Sequence, residues 1–189
     1  GAVRITHTQH SFIHLSKNSR YKMYENFFSS FADHLTTVSE SLQMQYKEVN
    51  IRPETVALIP NGIAFRSQFC LDIEEQLVIR QNLIKSLTEK SAVKILSTNV
   101  HMSWVLCMAR VHPKKGQEHV LNLWATLPAK ILENNLLIFV GAETSPGALE
   151  HLRSEIEKNP NKQSIVYAGF TQTPSEWIGA SDLFISGSE

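Results

Sequence analysis

Residues 104–116 read Trp-Val-Leu-Cys-Met-Ala-Arg-Val-His-Pro-Lys-Lys-Gly. The apolar run from Trp104 to Ala109 has no polar alternation, as expected of a strand covered on both faces. Polar chain begins at Arg110. Lys115-Gly116 then opens a segment with Val120, Trp124 and Leu127 on one face, the spacing of an amphipathic helix. Strand, cationic loop and helix in this order form the first part of a β-α-β unit.

Toward the C-terminus the alternation repeats. Leu136 to Val140 reads as a strand ending at Gly141. Pro146 to Lys158 reads as a helix with Leu149, Leu152 and Ile156 inward. Ile165 to Ala168 is a strand ending at Gly169. Thr173-Pro174-Ser175-Glu176 has the form of a capping box with proline at the first helical position. The short helix after it leads to a strand, Leu183 to Ile185, read as buried. This order predicts a parallel sheet covered on both faces, wound with right-handed crossovers.

Toward the N-terminus the signals are shorter. Val3 to Thr8 is β-like. Tyr21 to Ala32 carries Tyr24, Phe27, Phe28 and Phe31 at helical spacing, which predicts a core-facing helix. His34 to Val38 reads as a strand, and Ser39 caps a helix through about Lys47. Val56 to Ile59 is a strand stopped by Pro60-Asn61-Gly62. Residues 66–101 hold one clear helix, Ile73 to Leu87, followed by polar sequence that reads as a linker into a second domain. The fold class is α/β. The chain starts Gly1-Ala2-Val3 and stops one loop after a strand, which reads as an internal piece of a longer protein. The alternative is a compact domain closing on a C-terminal strand.

Composition removes several classes of function. Among 189 residues, 18 Lys and Arg balance 18 Asp and Glu. No excess of positive charge is available for nucleic-acid phosphates. Apolar residues make up 42%, enough for a sizeable core. No apolar run is long enough to span a bilayer. Two cysteines, Cys70 and Cys107, form no disulfide framework and fit a reducing cytoplasm.

In doubly wound folds ligands sit at the carboxyl ends of the strands. The loops of interest are therefore 110–115, 141–147, 169–173 and 186–189. The first places Arg110 and Lys115 just ahead of a helix N-terminus, where free N–H groups and the helix dipole favour an anion. Arg110 offers a planar fork for phosphate oxygens and Lys115 a point charge. Gly116 lets the backbone approach closely. A diphosphate suits such a loop; the plain alternative is a solvated basic loop. G-x-G-x-x-G, G-x-x-x-x-G-K-[ST] and G-x-S-x-G are missing, so dinucleotide, P-loop and serine-hydrolase readings have no support. His7, His10 and His14 lie close together, but their spacing matches no zinc pattern and no nearby acid or cysteine completes a set. One of them contacting a sugar or a proton-transfer partner is the better functional reading, against a partly exposed loop histidine. His34, His101, His119 and His151 read as structural or solvated.

Several phrases resemble the retaining glycosyltransferases of family 4. They are Phe31-Ala32-Asp33-His34-Leu35-Thr36-Thr37-Val38-Ser39-Glu40, Ala57-Leu58-Ile59-Pro60-Asn61-Gly62-Ile63 and Met108-Ala109-Arg110-Val111-His112-Pro113-Lys114-Lys115-Gly116. Leu137-Ile138-Phe139-Val140-Gly141, Val166-Tyr167-Ala168-Gly169-Phe170 and Ala180-Ser181-Asp182-Leu183-Phe184-Ile185 follow in the family's order. The resemblance covers almost the whole chain. It implies the GT-B architecture, two Rossmann-like domains, both incomplete here. Residues 1–66 would be the back part of the acceptor-side domain. Residues 67–189 would be a linker and the front part of the donor-side domain.

The resemblance further implies transfer of a sugar from a UDP- or GDP-sugar to a sugar or lipid-linked acceptor, with retention of configuration. Arg110 and Lys115 match the cations that hold the donor diphosphate, a role that needs no metal. His10 best matches the histidine that approaches the transferred sugar, with His7 as second choice. Gly116 and Gly141 would let the donor near the sheet edge, and Phe170 and Thr171 lie where the family's loop passes the base. Two features of the family are missing. The glycine-rich loop near the start of the acceptor-side domain has no counterpart. Counted from Asp182, the first acid of the E-x7-E pair falls just past Glu189; Glu189 takes that place only if the loop is two residues shorter. A cytoplasmic enzyme is expected, with peripheral membrane attachment left open by relatives that use lipid acceptors. The alternative function is a non-catalytic nucleotide- or phosphosugar-binding module on the same fold.

Overall fold

The computed structural model describes residues 4–10, 19–51, 56–62, 71–87 and 90–188. His14, Cys70 and Glu189 lie outside the described residues. The chain divides into two compact units, Gly1–Phe65 and Arg66–Glu189.

The first unit runs β1 (Thr6–Gln9), α1 (Ser19–Ser29), β2 (His34–Thr37), α2 (Glu40–Glu48) and β3 (Val56–Leu58). Its sheet has the order β1-β2-β3, all parallel, with Thr6 opposite His34 and Leu35 opposite Val56. Leu35, Tyr46, Val49, Ile51 and Val56 form its core. Ser39 caps α2 as expected, its hydroxyl accepting from the Leu42 N–H at 3.4 Å.

The expectation for α1 fails on one point: the helix is present, but its aromatic face is not buried. Tyr24, Phe27, Phe28 and Phe31 are 53%, 57%, 60% and 62% exposed. The inward side instead carries Glu25, Ser29 and the following Ala32. Glu25 accounts for this orientation, because its carboxylate accepts from the buried Tyr46 hydroxyl and lies 3.4 Å from His7 Nε2. Burial, reinforced by the Glu25 carboxylate, pushes the Tyr46 phenol far above its usual range, so it stays a donor.

The second unit runs α3 (Ile73–Ser86), α4 (Lys90–Thr98), β4 (Ser103–Met108), α5 (Gln117–Ala125), α6 (Ala129–Leu132), β5 (Asn135–Val140), α7 (Ala148–Lys158), β6 (Ile165–Gly169), α8 (Pro174–Ala180) and β7 (Leu183–Phe184). The sheet order is β6-β5-β4-β7, all parallel. Strand side chains alternate between two cores. Trp104, Leu106, Leu136, Ile138 and Val166 pack with Leu83, Ile84, Ala92, Leu96, Trp177 and Ala180 of α3, α4 and α8. Val105, Cys107, Leu137, Phe139 and Ile165 pack with Val120, Leu121, Trp124 and Leu152 of α5 and α7. The doubly covered parallel sheet read from the apolar strands is thus present.

Three details depart from the sequence reading. The stretch read as polar linker contains α4, which buries Ala92 and Leu96; two residues at i and i+4 suffice to hold a short helix against α3 and β6. Thr173 stands at the N-cap of α8, but its side chain makes no capping bond; Thr173 N–H is instead drawn to Thr171 Oγ1 at 3.0 Å. Finally, β7 is not buried: Leu183 is 56% and Phe184 48% exposed. Among the described residues β7 pairs with β4 alone, which leaves its other edge open.

Candidate functional site

The carboxyl ends of β4 and β5 continue past the strands as a stitched pair of loops. Ala109 N–H donates to Val140 O at 3.0 Å and Val111 N–H to Ala142 O at 2.8 Å. Thr144 N–H returns to Val111 O at 3.2 Å. His112 Nδ1 accepts from Lys114 N–H at 3.1 Å and caps a 3₁₀ turn, Pro113–Lys115. Gly116 closes that turn at φ 62°, a conformation that costs other residues free energy, and starts α5. No side chain caps α5, so its first-turn N–H groups have no side-chain partner at the positive end of the helix dipole.

The cations flank this helix end. Arg110 is exposed and Lys115 half-buried. Among the described residues neither side chain has an ion-pair or hydrogen-bond partner. Gln117, the first residue of α5, is buried and sends its side-chain amide back to Arg110 O at 2.8 Å. The loop that carries both cations is thereby closed at its two ends.

Glycines hold the neighbouring loops in place. A Cβ on Gly141 (φ 152°) would meet Ala109 O at 1.9 Å. Gly141 N–H donates to Gly169 O at 2.8 Å, and its carbonyl accepts from the Tyr167 hydroxyl at 2.9 Å. A Cβ on Gly116 would lie 1.9 Å from Gly187 O, and one on Gly187 would lie 2.4 Å from Gly116 O. The loop after β7 therefore rests backbone to backbone on the start of α5.

Of the residues named from sequence, Arg110, Lys115, Gly116, Gly141, Phe170 and Thr171 all stand at the carboxyl end of the second sheet. Phe170 is exposed and Thr171 half-buried. His10 follows the carboxyl end of β1, exposed and without a partner among the described residues. His7 is half-buried and engaged with Glu25. His34, His101, His119 and His151 are exposed. Cys107 is buried in the sheet, and burial pushes its thiol up to about 11, so it is a core residue and not a nucleophile. A cleft of about 290 Å³ lies between α5 and α7, lined by Val111, His112, Leu121 and Leu152, and not by Arg110 or Lys115. Among the described residues, no His, Cys, Asp or Glu cluster could hold a metal and no helix is long and apolar enough to cross a membrane.

Sequence reasoning did not find Gln117, Gly187 or Arg80. A glutamine at a helix start reads as surface, and an arginine within an exposed-looking helix carries no mark of burial.

Residues 1–65 match the family model Glycosyltransferase Family 4, and residues 92–189 match Glycosyl transferases group 1. The chain belongs to the group 1 glycosyl transferases. Solved structures give the same fold at low identity. A crystal structure of Anabaena Alr3699/HepE in complex with UDP is 18% identical at a TM-score of 0.72, covering 96% of this chain and 46% of that one. WaaG, a glycosyltransferase involved in lipopolysaccharide biosynthesis, is 20% identical at 0.60, covering 93% and 45%. An alpha,alpha-trehalose-phosphate synthase (UDP-forming) from Burkholderia vietnamiensis is 12% identical at 0.62, covering 95% and 49%. The fold is GT-B, and the chain spans under half the length of these neighbours. Among curated protein sequences none matches the chain.

Proposed function

We propose that this chain belongs to an enzyme that moves a sugar from a nucleotide-sugar donor to a sugar or lipid-linked acceptor, with retention of anomeric configuration. Residues 1–66 would serve the acceptor side and residues 67–189 the donor side. The observation that carries this reading is the pair of cations, Arg110 and Lys115, without partners among the described residues and beside the N-terminus of α5, which no side chain caps. Similar folds solved with UDP and with UDP-glucose support a nucleotide-sugar donor.

The chemistry follows from charge. As the bond between sugar and phosphate breaks, negative charge grows on the leaving nucleoside diphosphate. Arg110 would take two of its oxygens in a fork, Lys115 would add a point charge, and the α5 dipole would act in the same sense. The helix end and the backbone of the loop that carries both cations are in place before the reaction. Two side-chain cations supply what a divalent metal supplies elsewhere. Gly141 would let the nucleotide approach the sheet edge, with Phe170 and Thr171 along the base. His10, without a partner among the described residues where His7 is engaged with Glu25, would face the transferred sugar.

The test is Lys115→Ala in the complete protein. Transfer from the UDP- or GDP-sugar is expected to fall by about a hundredfold or more, with the far-UV spectrum unchanged. Full turnover in that variant would remove Lys115 from the site.

A further inference from the structure

Arg80, on α3, is 4% exposed and carries a charge into the core. Its guanidinium donates four hydrogen bonds. Nε donates to Ala180 O at 2.8 Å, Nη1 to Val100 O at 3.0 Å and Met102 O at 2.9 Å, and Nη2 to Asp182 Oδ2 at 2.7 Å. Its face lies 4.8 Å from the centre of the Trp104 ring, which stacks on Trp177. A buried arginine with this many partners is expensive to disturb.

Asp182, immediately before β7, holds Trp104, the residue just ahead of the β4–β7 ladder, through both its side chain and its backbone. Its Oδ2 accepts from Trp104 N–H at 2.7 Å, and its own N–H donates to Trp104 O at 2.9 Å. The strand that follows has only Leu183 and Phe184, opposite Val105 and Leu106. Both are about half exposed, so burial does little to fix β7 in place. One further bond, Ile185 N–H to Leu106 O at 2.9 Å, leads to Gly187, whose backbone rests on Gly116 at the start of α5. A strand of two residues is prone to slip, and a slip by one residue turns every side chain to the other face. This strand is held at its two ends: by Arg80 and Asp182 at its start, and by Gly187 against Gly116 at its end.

We infer that Arg80 is a positioning residue for the anion site. Through Asp182 it sets the register of β7, and β7 seats Gly187 on the mouth of α5, where Gly116 fixes the loop of Arg110 and Lys115. The proposal rests on the donor-site reading above only in its binding consequence; the link from Arg80 to Gly187 stands on the geometry alone.

Two measurements on the full chain test it. The first is amide exchange and chemical shift in Arg80→Lys, which keeps the charge and loses the fork. Exchange at Ile185 is expected to speed up by about tenfold, with the Gly116 and Gly187 signals displaced and Ile138 in the sheet centre unchanged. Changes confined to Ala180, Asp182 and Trp104 would overturn the inference. The second is titration with UDP. Arg80→Lys is expected to weaken binding by about threefold to thirtyfold, the range for residues that act on a site without touching its ligand. In a Gly187→Ala background the same change is expected to add less than twofold, because both act through one contact. A purely structural arginine predicts full additivity, which would also overturn the inference. Should Arg80→Lys fail to fold, Asp182→Asn removes the charge pair at nearly constant shape and is read the same way. If the unaltered complete protein does not bind UDP, the donor-site reading falls, and the exchange measurement still decides the clamp.

Discussion

Gly141 and Gly147 both follow β5 at positive φ, 152° and 78°, yet substitution should affect them very differently. A Cβ on Gly147 meets nothing within 4 Å, so Gly147→Ala bears only the conformational cost, about 1–2 kcal/mol. A Cβ on Gly141 meets the backbone oxygen of Ala109 at 1.9 Å, and neither partner can turn away. Both lie in the stitched loops, where Ala109 N–H is bonded to Val140 O. Gly141→Ala is expected to cost at least about 3 kcal/mol, from special backbone geometry plus displacement of a paired strand end. Urea unfolding of the two variants side by side checks this. Similar losses at both positions would mean that the loop after β5 yields easily, and would weaken its reading as a fixed edge for a nucleotide.

At the scale of elements, helix starts that look alike in sequence differ in what they contribute. At the start of α3, Asp72 Oδ1 accepts from Glu75 N–H at 2.8 Å while Glu75 Oε2 accepts from Asp72 N–H at 3.1 Å, a complete capping box. Thr173 at α8 makes no such bond. Asp72→Ala is expected to lower stability by about 1 kcal/mol and Thr173→Ala by a few tenths at most, measured as the difference in unfolding free energy. The contrast shows what the sequence could carry. The strands of the second unit were legible because buried parallel strands are continuous apolar runs, and the cation loop was legible because Arg110, Lys115 and Gly116 are contiguous between a strand and a helix. Helix α4 and the orientation of α1 were not. The former depends on Ala92 and Leu96 packing against α3 and the distant strand β6, and the latter on a polar Glu25 that finds Tyr46 twenty-one residues later. Arg80 and Gly187 were hidden for the same reason: their partners, Asp182 and Gly116, are far away in the chain.

At the scale of the molecule, the two units differ in how much core each closes. Residues 66–189 hold two apolar layers on either side of a four-stranded sheet, with Trp104, Phe139, Leu106 and Ile138 almost wholly buried. Among the described residues, 1–65 bury seven apolar side chains, five of them in one cluster, and leave the aromatic face of α1 exposed. A piece of about 60 residues buries only about 60% of its unfolded surface even when well packed, so it is marginal alone. Expressed separately, 66–189 is expected to give dispersed amide spectra and a cooperative thermal transition. The piece 1–65 is expected to give neither. Its exposed Phe27, Phe28 and Phe31 would favour self-association, which sedimentation would register. If 1–65 instead folds as a monomer, the pairing of Glu25 with Tyr46 and His7 contributes more than surface burial does. In that event Glu25→Gln, which keeps the shape and removes the charge, should unfold it.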